Sequence, residues 1–210
     1  MGATDGTERA QPQQAFLFVG NQLCLDFINT EMIIRGHRMD LLAGWPDLMR
    51  WAVQAKLLSA TEARKVAAGR GAAEEARMLH NAKAFRAVLR EMAEQIVAGK
   101  PVPERAINVI NRLLSQRPGY PQLRRTGGRL ERWFHAESHG AAQWLVPLAE
   151  AASDLLCTGD LAFVKKCQHD ACILYFYDTT KNHTRQWCSM GLCGNRVKAA
   201  AHYRRKKKGG

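Results

Sequence analysis

A mainly α-helical chain with a small β component is predicted from three observations. This is an α+β fold, with a helical N-terminal domain and a small C-terminal module of ββα-like type. Apolar residues recur at helical spacing through most of the first 160 residues. Short β-prone runs beside glycines interrupt that pattern only locally. Near the C-terminus Cys167, Cys172, Cys188 and Cys193 stand as C-x4-C-x15-C-x4-C, two pairs whose spacing suits a tetrahedral zinc ion.

In chain order, residues 1–14 are polar and read as a disordered leader with no apolar core of a signal peptide. The mainly helical domain is expected over 15–160, the zinc module over 161–206 and a basic, Gly-ended tail over 207–210. The apolar run 16–19 suggests a strand. Residues 23–34 carry Leu23, Phe27 and Ile34 on one helical face. Pro46 fits the first turn of a helix reaching 58, with Leu48, Trp51 and Ala55 inward. Thr61-Glu62 opens another helix, broken at Gly69-Arg70-Gly71. The longest helix is expected over 72–97, where Leu79, Phe85, Leu89, Met92 and Ile96 recur, and Gly99 and Pro101 end it. Pro103 starts the next, to about residue 115. Residues 122–126 and 129–135 flank Gly127-Gly128 as a hairpin, and 144–156 return to helix before Gly159-Asp160.

Composition narrows the function. Hydrophobic residues make up 46% of the chain, enough for a packed core. No window approaches about 18 uninterrupted apolar residues, so no membrane span is expected. A reducing cytoplasm follows as the expected location, where paired cysteines hold metal more often than they form disulfides. The net charge is +12 and is concentrated at one end: from Lys165 onward there are eleven Lys/Arg against two acids. Four thiolates on one Zn(II) remove two of those positive charges and still leave a module drawn to polyanions.

Within the module, 173–177 is β-prone, 178–184 a turn and 186–188 a returning strand. Ser189 caps a helix from Met190 that places Cys193 in its first turn, where the dipole favours a thiolate. Four protein ligands leave no open position for water, so one structural Zn(II) is expected, not a catalytic one. No Ser-His-Asp order, phosphate loop or zinc-protease motif is present, and the chain is not expected to be an enzyme. Cys24 and Cys157 read as buried small apolar residues, and His169 and His183 as surface residues.

The helix after Cys193 puts Asn195, Lys198, His202 and Arg205 on one face. With Arg185, Arg196, Arg204 and Lys206 these are the candidate nucleic-acid contacts, since Arg and Asn read base edges and Lys clusters bind phosphate. Arg196 and Arg185 have a second reading, an internal pair of one of them with Asp178, which would take it out of DNA contact. DNA is the expected partner. The alternative is RNA, a ribosome or a protein, and it gains if Tyr175 and Tyr177 are exposed as stacking platforms. Asp26, Asn29 and Thr30 lie in an apolar segment as a candidate effector pocket; alternatively they satisfy buried backbone groups. A homodimer is also open.

Cys167-x4-Cys172, Phe176-Tyr177-Asp178-Thr179, Arg185-Gln186-Trp187-Cys188-Ser189-Met190 and Cys193-Gly194-Asn195-Arg196-x-Lys198 together resemble the CGNR-type zinc finger. Leu25-Asp26-Phe27-Ile28-Asn29-Thr30, Asp40-Leu41-Leu42, Leu48-x2-Trp51 and Phe85-Arg86-x2-Leu89-Arg90 resemble its partner, the ABATE domain. The resemblance implies a bacterial, zinc-binding, stress-induced transcription regulator. Departures from the pattern occur at Gln168-His169-Asp170-Ala171 and Thr180-Lys181, where the ligands are untouched.

Overall fold

Helix α1 (Leu23–Ile28) sits at the centre of the chain's packing. Its Cys24, Leu25, Phe27 and Ile28 are all buried, too apolar a surface to tolerate water on any side. The structure is a computed structural model that describes residues 15–68, 70–117, 119–136 and 144–208; the expected leader and the last two residues of the tail lie outside them. Helix α1 packs against the long α4 (Ala72–Val97) and α6 (Val146–Thr158) and meets α2 (Trp45–Gln54) through Phe27, while α3 (Ala60–Ala67) lies on α2, and α5 (Glu104–Leu114) on α4 and α6. The core is filled by Leu48 and Trp51 of α2, Phe85, Leu89 and Met92 of α4, and Leu148, Ala152 and Leu155 of α6. The rings of Phe27 and Trp51 meet at 4.8 Å. Pro46 lies in the first turn of α2 as expected. Ser59 and Glu62 form a reciprocal capping box on α3, with bonds of 3.1 and 2.7 Å.

The expected helix over 23–34 is corrected. It stops at Ile28, and Glu31–Ile34 is strand β1, paired antiparallel with β2 (His37–Asp40). Arg35 and Gly36 both have positive φ, +51° and +84°, the two-residue turn that matches strand twist. Two adjacent isoleucines before that turn favour the pleated form, and the helical spacing of Leu23, Phe27 and Ile34 was coincidental. The run at 16–19 is not a strand, but Phe16 enters the main core while Leu17 and Val19 pack against the cysteine cluster. Cys24 is buried, which pushes its thiol up to about 12. Cys157, by contrast, lies exposed on α6, because its position faces away from the core stripe. The hairpin forms and is longer than expected: β3 (Gly119–Thr126) pairs with β4 (Arg129–Ala136), with Thr126 opposite Arg129. Among the described residues no helix is long and apolar enough to cross a membrane.

One ion network ties the β1–β2 hairpin to α4. The guanidinium of Arg86, almost fully buried, donates to both Asp40 oxygens at 2.7 and 2.8 Å and to Thr30 Oγ1 at 2.8 Å. Lys83 reaches Asp40 at 2.9 Å. Burial alone would raise the Asp40 carboxyl, but the bonds from Arg86 and Lys83 outweigh it and hold the pKa down at about 2. The folded form therefore binds this proton less readily than the unfolded chain. Asp40 contributes on the order of 2 kcal/mol above its unfolded pKa, lost as pH falls from about 4 to 2. Thermal midpoints across that window should drop more steeply for the native chain than for Asp40→Asn.

Candidate metal centre and basic helix

The C-terminal module begins with a single 3-10 turn, Leu161–Phe163, and strand β5 (Val164–Lys166). Strand β6 (Tyr175–Tyr177) pairs with β5, with Lys165 opposite Phe176. This corrects the expected hairpin, in which 186–188 was to be the partner strand. That segment instead supports the first knuckle, with Gln186 O accepting from Gln168 N at 2.9 Å. The knuckle is closed by Cys167 N donating to Leu174 O at 2.9 Å. Ser189 caps as predicted, its Oγ accepting from Leu192 N at 3.0 Å. A π-helical turn, Met190–Gly194, follows and carries Cys193. The α-helix proper, α7 (Asn195–Lys208), starts two residues later.

These elements bring the sulfurs of Cys167, Cys172, Cys188 and Cys193 within 4.8 Å of one another, all four residues buried. A tetrahedral zinc with Zn–S near 2.3 Å needs sulfurs about 3.8 Å apart. Cys172 and Cys188 are at 3.9 Å, Cys188 and Cys193 at 3.6 Å, so the donor set fits the ion. Four sulfurs this close cannot all ionise without a cation. Hydrogen bonds from Cys172 and Cys188 hold the Cys167 thiol far below the ordinary range, while the bond to Cys167 and burial push Cys188 far above it. Zinc binding must displace those protons and should weaken as pH falls. The site is one structural zinc with no open position.

Asp178 organises the loop before the second knuckle. It is fully buried and accepts from Lys165 Nζ (2.7 Å), Thr180 N (3.0 Å), Thr180 Oγ1 (2.6 Å) and Arg185 N (2.9 Å). Burial disfavours its charge, yet these donors prevail and keep the carboxyl well below the usual range. Arg196 is therefore not its partner and stays exposed on α7.

Arg185, expected among the nucleic-acid contacts, is committed internally. Its guanidinium lies 4.1 Å over the Phe176 ring and donates to Val19 O at 2.9 Å, Trp187 O at 3.0 Å and Cys188 O. A side chain holding a ligand residue's carbonyl and the N-terminal segment together has few donors left for phosphate. Asn195, Arg196, Lys198, His202, Arg204, Arg205 and Lys206 are all exposed on α7. Of the two tyrosines whose exposure would favour RNA, Tyr175 is buried and Tyr177 is half-buried and accepts from Asp160 N at 3.1 Å; Phe176 between them is buried as well.

Asp26, Asn29 and Thr30 bond to backbone, and Asp26 also lines a cleft of about 450 Å³ with Phe18, Gln22, Gln54 and Lys56. Asn29 Nδ2 donates to Tyr175 O at 2.8 Å and its Oδ1 accepts from Tyr175 N at 2.9 Å, so the side chain acts as an extra strand on β6. Thr30 Oγ1 donates to Phe27 O at 2.7 Å. Asp26 accepts from Gly20 N at 2.7 Å; burial raises its carboxyl to about 6 against the pull of that bond. Tyr177 N donates to Gly20 O at 2.7 Å on the same seam. Arg90, buried on α4, adds bonds to Ile28 O, to Ile173 O at 3.1 Å and to Glu31 O at 3.4 Å. Reading the sequence alone identified no role for Arg86 or Arg90. The signals were their place in the Phe85-Arg86-x2-Leu89-Arg90 match and their spacing of four on an apolar helix face, where a charge needs a buried partner. Together these bonds fasten the zinc module to the helical domain.

The sequence comparisons agree with this division. The ABATE model, described as "Putative stress-induced transcription regulator", matches residues 21–159, and the CGNR zinc finger model matches residues 164–206. No curated protein matches the sequence. With its helical domain docked on a four-cysteine zinc knuckle, the chain belongs to the ABATE family and ends in a CGNR zinc finger.

Proposed function

We propose that the chain is a zinc-dependent, DNA-binding transcription regulator of the cytoplasm, with no catalytic activity. Helix α7 carries this reading: it has seven Lys/Arg and no acid over 14 residues. Apart from Val197 and Ala201, its described side chains are exposed. Like charges at helical spacing repel, and a short helix with little buried surface is marginal in water. A phosphate backbone removes that repulsion, and the zinc knuckle, through Ser189 and Cys193, sets the helix's starting direction. The burial of Tyr175 and Phe176 favours duplex DNA over single-stranded RNA, whose recognition needs exposed stacking surfaces. The helical domain serves as a sensing or dimerising unit. A cleft of about 520 Å³ between α4 and α5, lined by Met78, Phe85, Val88 and Trp144 with Arg77 and Arg112, supports the sensing role.

Lys198→Ala/Arg204→Ala/Arg205→Ala should weaken duplex binding at least tenfold at low salt. It should also flatten the dependence of log K on log salt by roughly 2–3, at about 0.9 per lost phosphate contact. Titrations of zinc-loaded protein at several salt concentrations measure both. Wild-type affinity that does not change with salt contradicts the proposal.

A further inference from the structure

The β3–β4 ribbon is built unlike the rest of the domain. Each strand has eight residues, roughly 27 Å at about 3.4 Å per residue. Gly127 and Gly128 close it with φ of +56° and +84°. From residue 121 to 132 every side chain is exposed, and none of these twelve residues belongs to either hydrophobic core cluster. An isolated two-stranded hairpin is at best marginal in water, so a ribbon this long needs a surface to lie against.

The register says what kind of surface. Leu123 stands opposite Arg132, and Arg125 opposite Leu130. Because side chains alternate across a strand, these four share one face. Leu123 is 70% exposed and Leu130 61%. Over residues 119–132 there are four arginines and one glutamate. Charge on an exposed strand commonly serves to block edge pairing. That explains the arginines but not two leucines left in water between them. A second copy of the chain on this face would set arginines against arginines. A polyanion with apolar grooves suits it better: guanidinium groups meet phosphates while leucines meet sugars, base methyls or base steps. A two-stranded ribbon also fits the roughly 12 Å major groove.

We propose that the β3–β4 ribbon is a second contact to duplex DNA, made by Arg125, Arg132, Leu123 and Leu130. The inference rests on the DNA-binding reading above and extends it. The chain then holds DNA at two separate elements, the helix through the groove it enters and the ribbon through its cationic-apolar face.

The test compares full-length, zinc-loaded wild type with Arg125→Ala/Arg132→Ala, Arg125→Lys/Arg132→Lys and the α7 triple alanine on one mixed-sequence duplex. The alanine pair should weaken binding at least tenfold at low salt and reduce the salt slope by about two contacts' worth, roughly 1.8. Zinc content and thermal midpoint should be unchanged. The lysine pair, which keeps the point charges, should restore the slope. Wild-type affinity and slope in the alanine pair, with the α7 triple variant still defective, overturn the ribbon contact and leave the helix reading intact. Absence of duplex binding by wild type overturns both. A dimer in sedimentation that the alanine pair dissociates, with affinity per protomer unchanged, also overturns the ribbon contact and assigns the face to a second copy.

Discussion

Zinc chelation, or Cys188→Ser, is expected to unfold the C-terminal module while leaving the helical core in place. Cys188 lies in the middle of the cluster, with sulfurs at 3.9 and 3.6 Å on two sides, and is fully buried. The second hydrophobic cluster consists of the four cysteines with Leu174 and Phe176, joined at its edge by a few half-buried residues. That is too small a core to offset the entropy of ordering some 40 residues. A structural zinc contributes on the order of 10 kcal/mol of apparent binding energy to such a module. Hydrogen exchange should show amides of residues 165–195 losing protection on chelation, while those of α1, α4 and α6 stay slow. Module amides that remain protected in metal-free protein would contradict the assignment. Falling pH should produce the same loss more gradually, because protons compete with zinc for the four sulfurs.

The second large effect is expected at Asn29. Its amide satisfies both backbone groups of Tyr175 at 2.8 and 2.9 Å in a fully buried setting. Asn29→Asp keeps the shape but replaces the donor to Tyr175 O with a second acceptor. A buried carboxylate then faces a carbonyl, and Tyr175 O is left without its partner. The cost should be at least about 2–4 kcal/mol, the sum of an unsatisfied buried acceptor and a desolvated charge. Asn29→Ala loses both bonds without adding charge and should cost less than the aspartate. Urea unfolding of the two variants gives the order. An aspartate variant as stable as wild type would mean the seam tolerates separation. Because this bond joins residues of the helical domain and the zinc module, its loss should also lower the cooperativity between them.

The parts of this architecture read correctly beforehand are those specified by neighbours in the chain. Helix α4 was legible because its apolar residues repeat over seven turns and Gly and Pro follow it. The metal site was legible because each cysteine pair is spaced to close one knuckle, and two such pairs complete zinc's tetrahedral set of four ligands. The Ser189 cap and the Gly127-Gly128 turn are likewise local. β1 was misread as helix because four residues show too little periodicity to separate the two periods. Its real marker was the Arg35-Gly36 turn.

By itself, then, the sequence determined the helical domain's main elements, the zinc ligands and the concentration of positive charge on the last helix. Tertiary structure alone decided the partner of β6, which is Val164–Lys166, the internal hydrogen bonds of Arg185, and the burial of Arg86 and Arg90. It also decided that Asn29 bonds a strand 146 residues away instead of a ligand. The physical reason is the same throughout. A polar side chain carries equal hydrogen-bonding capacity whether its partner is solvent, a ligand or distant backbone, and only the packed fold says which of these lies within about 3 Å.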